Sequence, residues 1–158
     1  MSSGQDAPVL VEVHIVGMPV DAYREASEHG DELMREFALL REQAEGDGRA
    51  VPVRLLALAE ELRTQFGGFT TAQEAQLQEA LAGTGGTIDL HYRVPADVKD
   101  ACIALAAMLD EADEYCRQGR ELLTLATPPR ARAFRKWFLD QFVRQVDGLE
   151  PTPWQEPA

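Results

Sequence analysis

The sequence predicts an α+β domain with a short, three-stranded mixed sheet and about five helices mainly on one face, making two layers. Three observations carry that expectation. Two segments, Val9–Val16 and Thr87–Val94, alternate apolar and polar residues with the period of a half-buried strand. Between and after them, apolar residues recur at the spacings of core-facing helices. The order strand, proline, helix also occurs three times, over Val11–Phe37, Ile88–Asp113 and Leu122–Val146.

The first strand places Val9, Val11, Val13 and Ile15 on one face and Leu10, Glu12, His14 and Val16 on the other, and stops at Gly17-Met18-Pro19. A helix follows to about Ala44, its stripe made by Tyr23, Ala26, Gly30, Leu33, Met34, Phe37 and Leu40. Glu45-Gly46-Asp47-Gly48-Arg49 closes it. Pro52 suits the first turn of a second helix, where its missing donor would have no partner anyway. Leu55, Leu56, Ala59, Leu62 and Phe66 carry that helix to Gly67-Gly68. Thr71 and Glu74 have the spacing of a capping box, which predicts a third helix that runs to Gly83-Thr84-Gly85-Gly86.

In the second strand Ile88, Leu90, Tyr92 and Val94 alternate with Thr87, Asp89, His91 and Arg93. Pro95-Ala96-Asp97 leads into a helix bearing Val98, Ala101, Cys102, Leu105, Met108, Leu109, Ala112 and Cys116, which ends near Gly119. Glu121–Ala126 reads as a third strand, parallel to the second through a right-handed crossover. Pro128-Pro129 breaks it, and the last helix presents Phe134, Trp137, Phe138, Phe142 and Val146. The threefold pattern is either a weak internal repeat or three uses of one strand-to-helix turn.

A chain of 158 residues is the size of one domain, able to bury about two thirds of its unfolded surface. The domain is expected over 9–148, with residues 1–8 a flexible N-terminus and 149–158 a Pro-rich tail that Trp154 could dock. A sheet this short leaves edges and a face uncovered, which predicts a homodimer. Hydrophobic residues at 45% and charged residues at 27% exclude the composition of a disordered chain. A net charge of −12 opposes attraction to phosphate backbones and anionic lipid, so neither nucleic acid nor membrane is an expected partner. Met1–Asp6 has no basic start or apolar run of a leader, and Cys102 and Cys116, about 21 Å apart if on one helix, cannot bridge. The reading is of a cytoplasmic chain.

Candidate chemistry concentrates on the polar face of the sheet, with Glu12 and His14 on one strand and Asp89, His91 and Arg93 on the other. Two imidazoles and a carboxylate can hold a metal ion, and a histidine oriented by Asp89 can act as a base; His14, Asp89 and His91 are the candidate ligands. The competing reading is a solvated or dimer-covered face. Glu25, His29, Glu32 and Glu36 share helical spacing on the first helix and read as its exposed side. Gly83–Thr87 resembles a phosphate loop in composition but follows a helix and opens a strand, the reverse of what such loops require. Both cysteines fall in an apolar stripe and read as core.

The last helix gathers Arg130, Arg132, Arg135, Lys136, Trp137 and Arg144, bases beside aromatic residues, against Asp140 and Asp147. These six are the candidate protein interface, since aromatic anchors beside arginine are what such surfaces carry. Pairing with the chain's own acidic surface is the alternative.

Glu121-Leu122-Leu123-Thr124-Leu125-Ala126-Thr127-Pro128-Pro129-Arg130-Ala131-Arg132-Ala133-Phe134-Arg135 resembles the opening strand and helix of bacterial anti-sigma factor kinases of the histidine-kinase-like ATPase family, and His91–Val98 echoes the same element. The asparagine-bearing magnesium motif and the Asp-x-Gly-x-Gly adenine loop of that family have no counterpart here, and no catalytic residue carries over. The resemblance implies kinship with partner-switching regulators. The sequence therefore predicts a non-catalytic, homodimeric interaction module without a cofactor, whose partner is another regulatory protein. Its alternative is a small metal-dependent or ligand-binding enzyme built on His14, Asp89 and His91.

Overall fold

The computed structural model describes residues 9–43, 50–83, 85–118 and 126–157. In chain order they form β1 (Leu10–Pro19), α1 (Val20–Gln43), α2 (Ala50–Phe66), a 3-10 turn (Gly67–Phe69), α3 (Thr71–Leu81), β2 (Thr87–Pro95), α4 (Val98–Gln118) and α5 (Pro129–Val146). The class is α+β, with five α-helices and a two-stranded sheet among the described residues. The expected third strand falls almost wholly outside them, at 121–125, and Ala126, its last residue, lies in a bend.

β1 and β2 run antiparallel, with Leu10 opposite Pro95 and His14 opposite His91. Pro19 and Pro95 each end a strand, where a missing N–H costs the ladder nothing. The pairing slips once, between Ile15 and Met18: Ile15 faces Leu90 and Met18 faces Ile88. Gly17 takes φ +65° in this bulge, a conformation open to glycine, and its N–H donates to Asp89 Oδ1 at 2.7 Å. The extra residue turns Met18 inward, so Val13, Ile15 and Met18 are all buried although their spacing is not a strict alternation.

Helices cover the other side of that face. The first core cluster joins Val13, Ile15, Met18, Leu90, Tyr92 and Val94 to Phe134 and Phe142 of α5, with Leu77 of α3 and Phe66 at the end of α2. A second cluster lies between helices alone, with Leu33 and Phe37 of α1, Leu55 of α2, and Met108, Ala112 and Cys116 of α4. Both thiols are buried, and burial pushes Cys102 up to about 12 and Cys116 up to about 11, so neither is a ready thiolate.

α3 departs from its expected start. The predicted capping box of Thr71 and Glu74 is not formed; Thr70 is the N-cap. The preceding 3-10 turn supplies a better acceptor, because the Gly67 carbonyl receives the Thr70 N–H and both the Thr70 and Thr71 hydroxyls. That moves the helix boundary back by one residue.

The sheet's edges are closed by side chains. On β1 the His14 N–H donates to Gln145 Oε1 at 2.8 Å, and Gln145 Nε2 donates to the His14 carbonyl at 2.8 Å, so one carboxamide from α5 stands in for a neighbouring strand. On β2 the amides of Gln73 and Gln76, from α3, donate to the carbonyls of His91 and Asp89. The expectation of open edges is corrected accordingly: at these positions the groups that would recruit another strand are already used. Gln145→Ala removes both bonds to a part-buried stretch of backbone and should cost about 2 kcal/mol in urea denaturation. With β1's edge opened, light scattering should also show concentration-dependent association; an unchanged midpoint and mass would mean the amide does not seal the edge.

Candidate functional site

Antiparallel geometry explains what gathers on the outer face of the sheet. Because His14's N–H and carbonyl point to Gln145, the His14–His91 pair is not hydrogen-bonded across the strands, and such pairs bring Cα atoms to about 4.5 Å. The same parity holds for Glu12 and Arg93, two positions away on each strand. The outer face therefore carries the close pairs. The two imidazoles stack with centroids 4.5 Å apart and planes 7° from parallel. Glu12 lies opposite Arg93 in register yet reaches diagonally, placing Oε1 2.8 Å from His91 Nε2.

Of the expected ligands, His14 and His91 come together and Asp89 stays apart, its carboxylate accepting from the bulge at Gly17. Glu12 takes its place: one ligand atom each from Glu12, His14 and His91 lie within 4.8 Å of one another, all three residues exposed. Strand parity pointed to a shared face for all five polar residues, but which carboxylate turns toward the imidazoles depends on the bulge.

The basic residues of α5 are largely engaged within the chain. Arg130 pairs with Asp21, Glu25 and Glu156; Arg135 with Asp110 at 2.8 Å; Arg132 with Asp110 and Asp113 at 4.0 and 3.8 Å. Arg144 donates to the Glu150 carbonyl, and Trp137 Nε1 to the Thr152 carbonyl at 2.9 Å. Lys136 is exposed.

Asp113 of α4 anchors one end of this network. It is 2% exposed, and its Oδ1 accepts from the Thr127 N–H at 2.6 Å, joining α4 to the segment before α5. Burial alone would raise its carboxyl; the Thr127 amide and hydroxyl, with Arg117 and Arg132, outweigh that and hold it below its ordinary value. At the other end, Gly148 at φ +84° closes α5, with its N–H bonded to the Gln145 carbonyl and the Leu149 N–H to the Arg144 carbonyl. The chain then folds back along α5. Gln141 and Thr152 exchange two hydrogen bonds, Trp154 packs on Phe134 and Trp137, and Glu156 accepts from Arg130 and Trp154. Arg130 and the Trp154 indole push the Glu156 carboxyl down to about 2.

A concave site lies elsewhere, where α1, α4 and α5 splay apart. A cleft of about 330 Å³ is lined by Tyr23, Leu33, Leu105, Leu109, Phe138 and Leu139, with Ser27, His29, Thr127 and Arg135 among its few polar groups. A neighbouring lobe of about 310 Å³ shares Tyr23, Leu105, Phe138 and Leu139 and reaches Tyr92 and Val94 on the buried face of β2. His29, expected on the exposed side of α1, lines this cleft instead, and Glu25 from the same set pairs with Arg130.

No family model, curated protein or solved structure matches the chain. Among the described residues no helix is long and apolar enough to cross a membrane.

Two measurements probe the electrostatic network. Asp113→Asn should lose about 2–3 kcal/mol at pH 7 in urea denaturation. Because the folded carboxyl titrates below its ordinary 3.8, its contribution is complete above that value and fades as pH falls through the lower folded one; wild type and variant should converge in acid. The tail reports through fluorescence, since Trp137 and Trp154 are the chain's only tryptophans. The Arg130–Glu156 clamp is present above Glu156's ordinary 4.5 and lost as pH falls toward about 2, so tryptophan emission should shift to the red over that interval. Arg130→Ala should show the red-shifted emission already at pH 7; unaltered emission would mean that the tail stays docked without the Arg130–Glu156 clamp.

Proposed function

We propose that the chain is a non-catalytic interaction module of a bacterial regulatory pathway of the partner-switching kind, and that it receives an apolar segment of another regulatory protein between α1, α4 and α5. The observation that carries this reading is the open, two-lobed apolar cleft. Its volume lies in the range of binding sites, and its lining is aliphatic and aromatic with a few polar groups at hand. A packed core would have closed such a gap, because apolar surface left facing water forgoes about 25 cal/mol per Å².

The lining indicates what the occupant carries. Aliphatic and aromatic walls suit an amphipathic segment that lays its apolar side chains into the cleft, the manner in which helices bind grooves. Arg135 at the wall is already paired with Asp110 at 2.8 Å, so the contact is mainly apolar. The likeness of Glu121–Arg135 to anti-sigma factor kinases supports the same class of pathway. A second copy of this chain is the competing occupant, and the one that the expected homodimer would use.

Leu139→Glu and Leu105→Glu place a charge on walls that are only partly buried. Each should weaken capture of the partner, identified from native lysate by mass spectrometry, by more than about tenfold, while leaving the thermal midpoint within a few degrees. Glu12→Gln, on the far side of the molecule, should capture as wild type does. Equal capture by the cleft variants would overturn the proposal. So would a dimeric mass in light scattering that becomes monomeric in Leu139→Glu, since the cleft would then hold a second copy.

A further inference from the structure

The outer face of the sheet carries a donor set that the cleft does not use. Two imidazoles and one carboxylate suit a divalent ion of the zinc class, which takes nitrogen and oxygen ligands and tolerates open positions. Three features of this face make the set more than a polar surface. The ligand atoms of Glu12, His14 and His91 already lie within 4.8 Å of one another. Glu12 turns away from the arginine it faces in register and toward an imidazole. The backbone beneath both histidines is pinned from outside the sheet, at His14 by Gln145 and at His91 by Gln73. Ligands that leave a fixed backbone lose less freedom when an ion gathers them.

We propose that Glu12, His14 and His91 bind one divalent transition-metal ion through both imidazoles and the carboxylate, with the remaining coordination positions open to solvent. Bonds of about 2.0–2.2 Å require the stacked rings to turn so that one nitrogen of each faces the ion. All three residues are exposed, and the rotation gives up the ring stack between His14 and His91. The cost is the 2.8 Å contact between Glu12 and His91, which the ion replaces with a bond to each. The chain's net charge of −12 attracts cations to the molecule as a whole. Arg93, opposite Glu12, is the neighbouring charge that opposes binding, and Asp89, two residues from His91 on the same strand, is a carboxylate that favours it.

The site is separate from the cleft, and its test uses the isolated full-length chain. Titration calorimetry with zinc chloride should give one ion per chain with micromolar affinity. Even the loss of a residue that supports a ligand costs about tenfold or more, so His14→Ala and His91→Ala should each weaken binding by at least that factor. Glu12→Gln should weaken it severalfold. Arg93→Gln should bind as tightly as wild type or more tightly, and His29→Ala, whose imidazole is on α1, should bind unchanged. Circular dichroism in the presence of a chelator checks that each variant is folded, and His14→Gln serves if His14→Ala is not. Electron paramagnetic resonance of the copper(II)-loaded wild type reads the ligands directly, and coupling to two imidazole nitrogens is expected. Absence of zinc binding by wild type, binding unaffected by loss of both His14 and His91, or a copper spectrum without imidazole nitrogen would each overturn the proposal.

Discussion

A ribbon of two strands has two edges and no interior strand, and it is not stable by itself in water. Among the described residues, where the sheet has two strands, that constraint is met by glutamine. Gln145 gives β1 the donor and acceptor of an absent neighbour, and Gln73 and Gln76 give β2 two donors. The arrangement fixes more than the edge. The helices that carry these side chains are α5 and α3, so the polar bonds to the edges and the apolar packing on the inner face set the same helix positions. It also fixes which cross-strand pairs lack backbone bonds, and hence which side chains stand closest on the outer face.

Much of this was legible in the sequence. The alternation in β1 and β2 assigned Val13, Ile15, Leu90, Tyr92 and Val94 to the interior, and the apolar stripes located the helices to within a residue or two at most ends. The pairing itself was not legible, because strands joined through three helices have no turn to declare their direction or register. The bulge was hidden for a related reason: Gly17 reads as the end of a strand, and only the register with Asp89 shows that the strand continues through it. The capping box misled by one residue because a short turn upstream competed for the same hydroxyls.

The glutamines left a signal that could have been read. Gln141 and Gln145 fall within the stripe that Phe134, Phe138 and Phe142 define, and a polar residue inside an apolar stripe must find a buried partner. One meets the tail at Thr152 and the other meets β1 at His14. The arginines of α5 illustrate the opposite difficulty. Charge counting shows a basic helix on an acidic chain, but it does not say whether the acidic partners are the chain's own. Asp21 and Glu25 on α1, Asp110 and Asp113 on α4, and Glu156 in the tail come from three separate parts of the sequence, and only the fold brings them to α5.

The separation of these elements along the chain has a consequence during synthesis. Ribosomes extend a chain at about 5–20 residues per second, so β1, whose His14 pairs with His91, waits about 4–15 s for its partner strand. The amide that seals its other side arrives later still, since Gln145 is 131 positions beyond His14. Until β2 is made the nascent chain carries a strand with both sides unpaired, and until α5 is made one side stays open. Val9–Val16 is thus a segment that needs shelter during synthesis, because α5, which closes it, is made after all the other described elements.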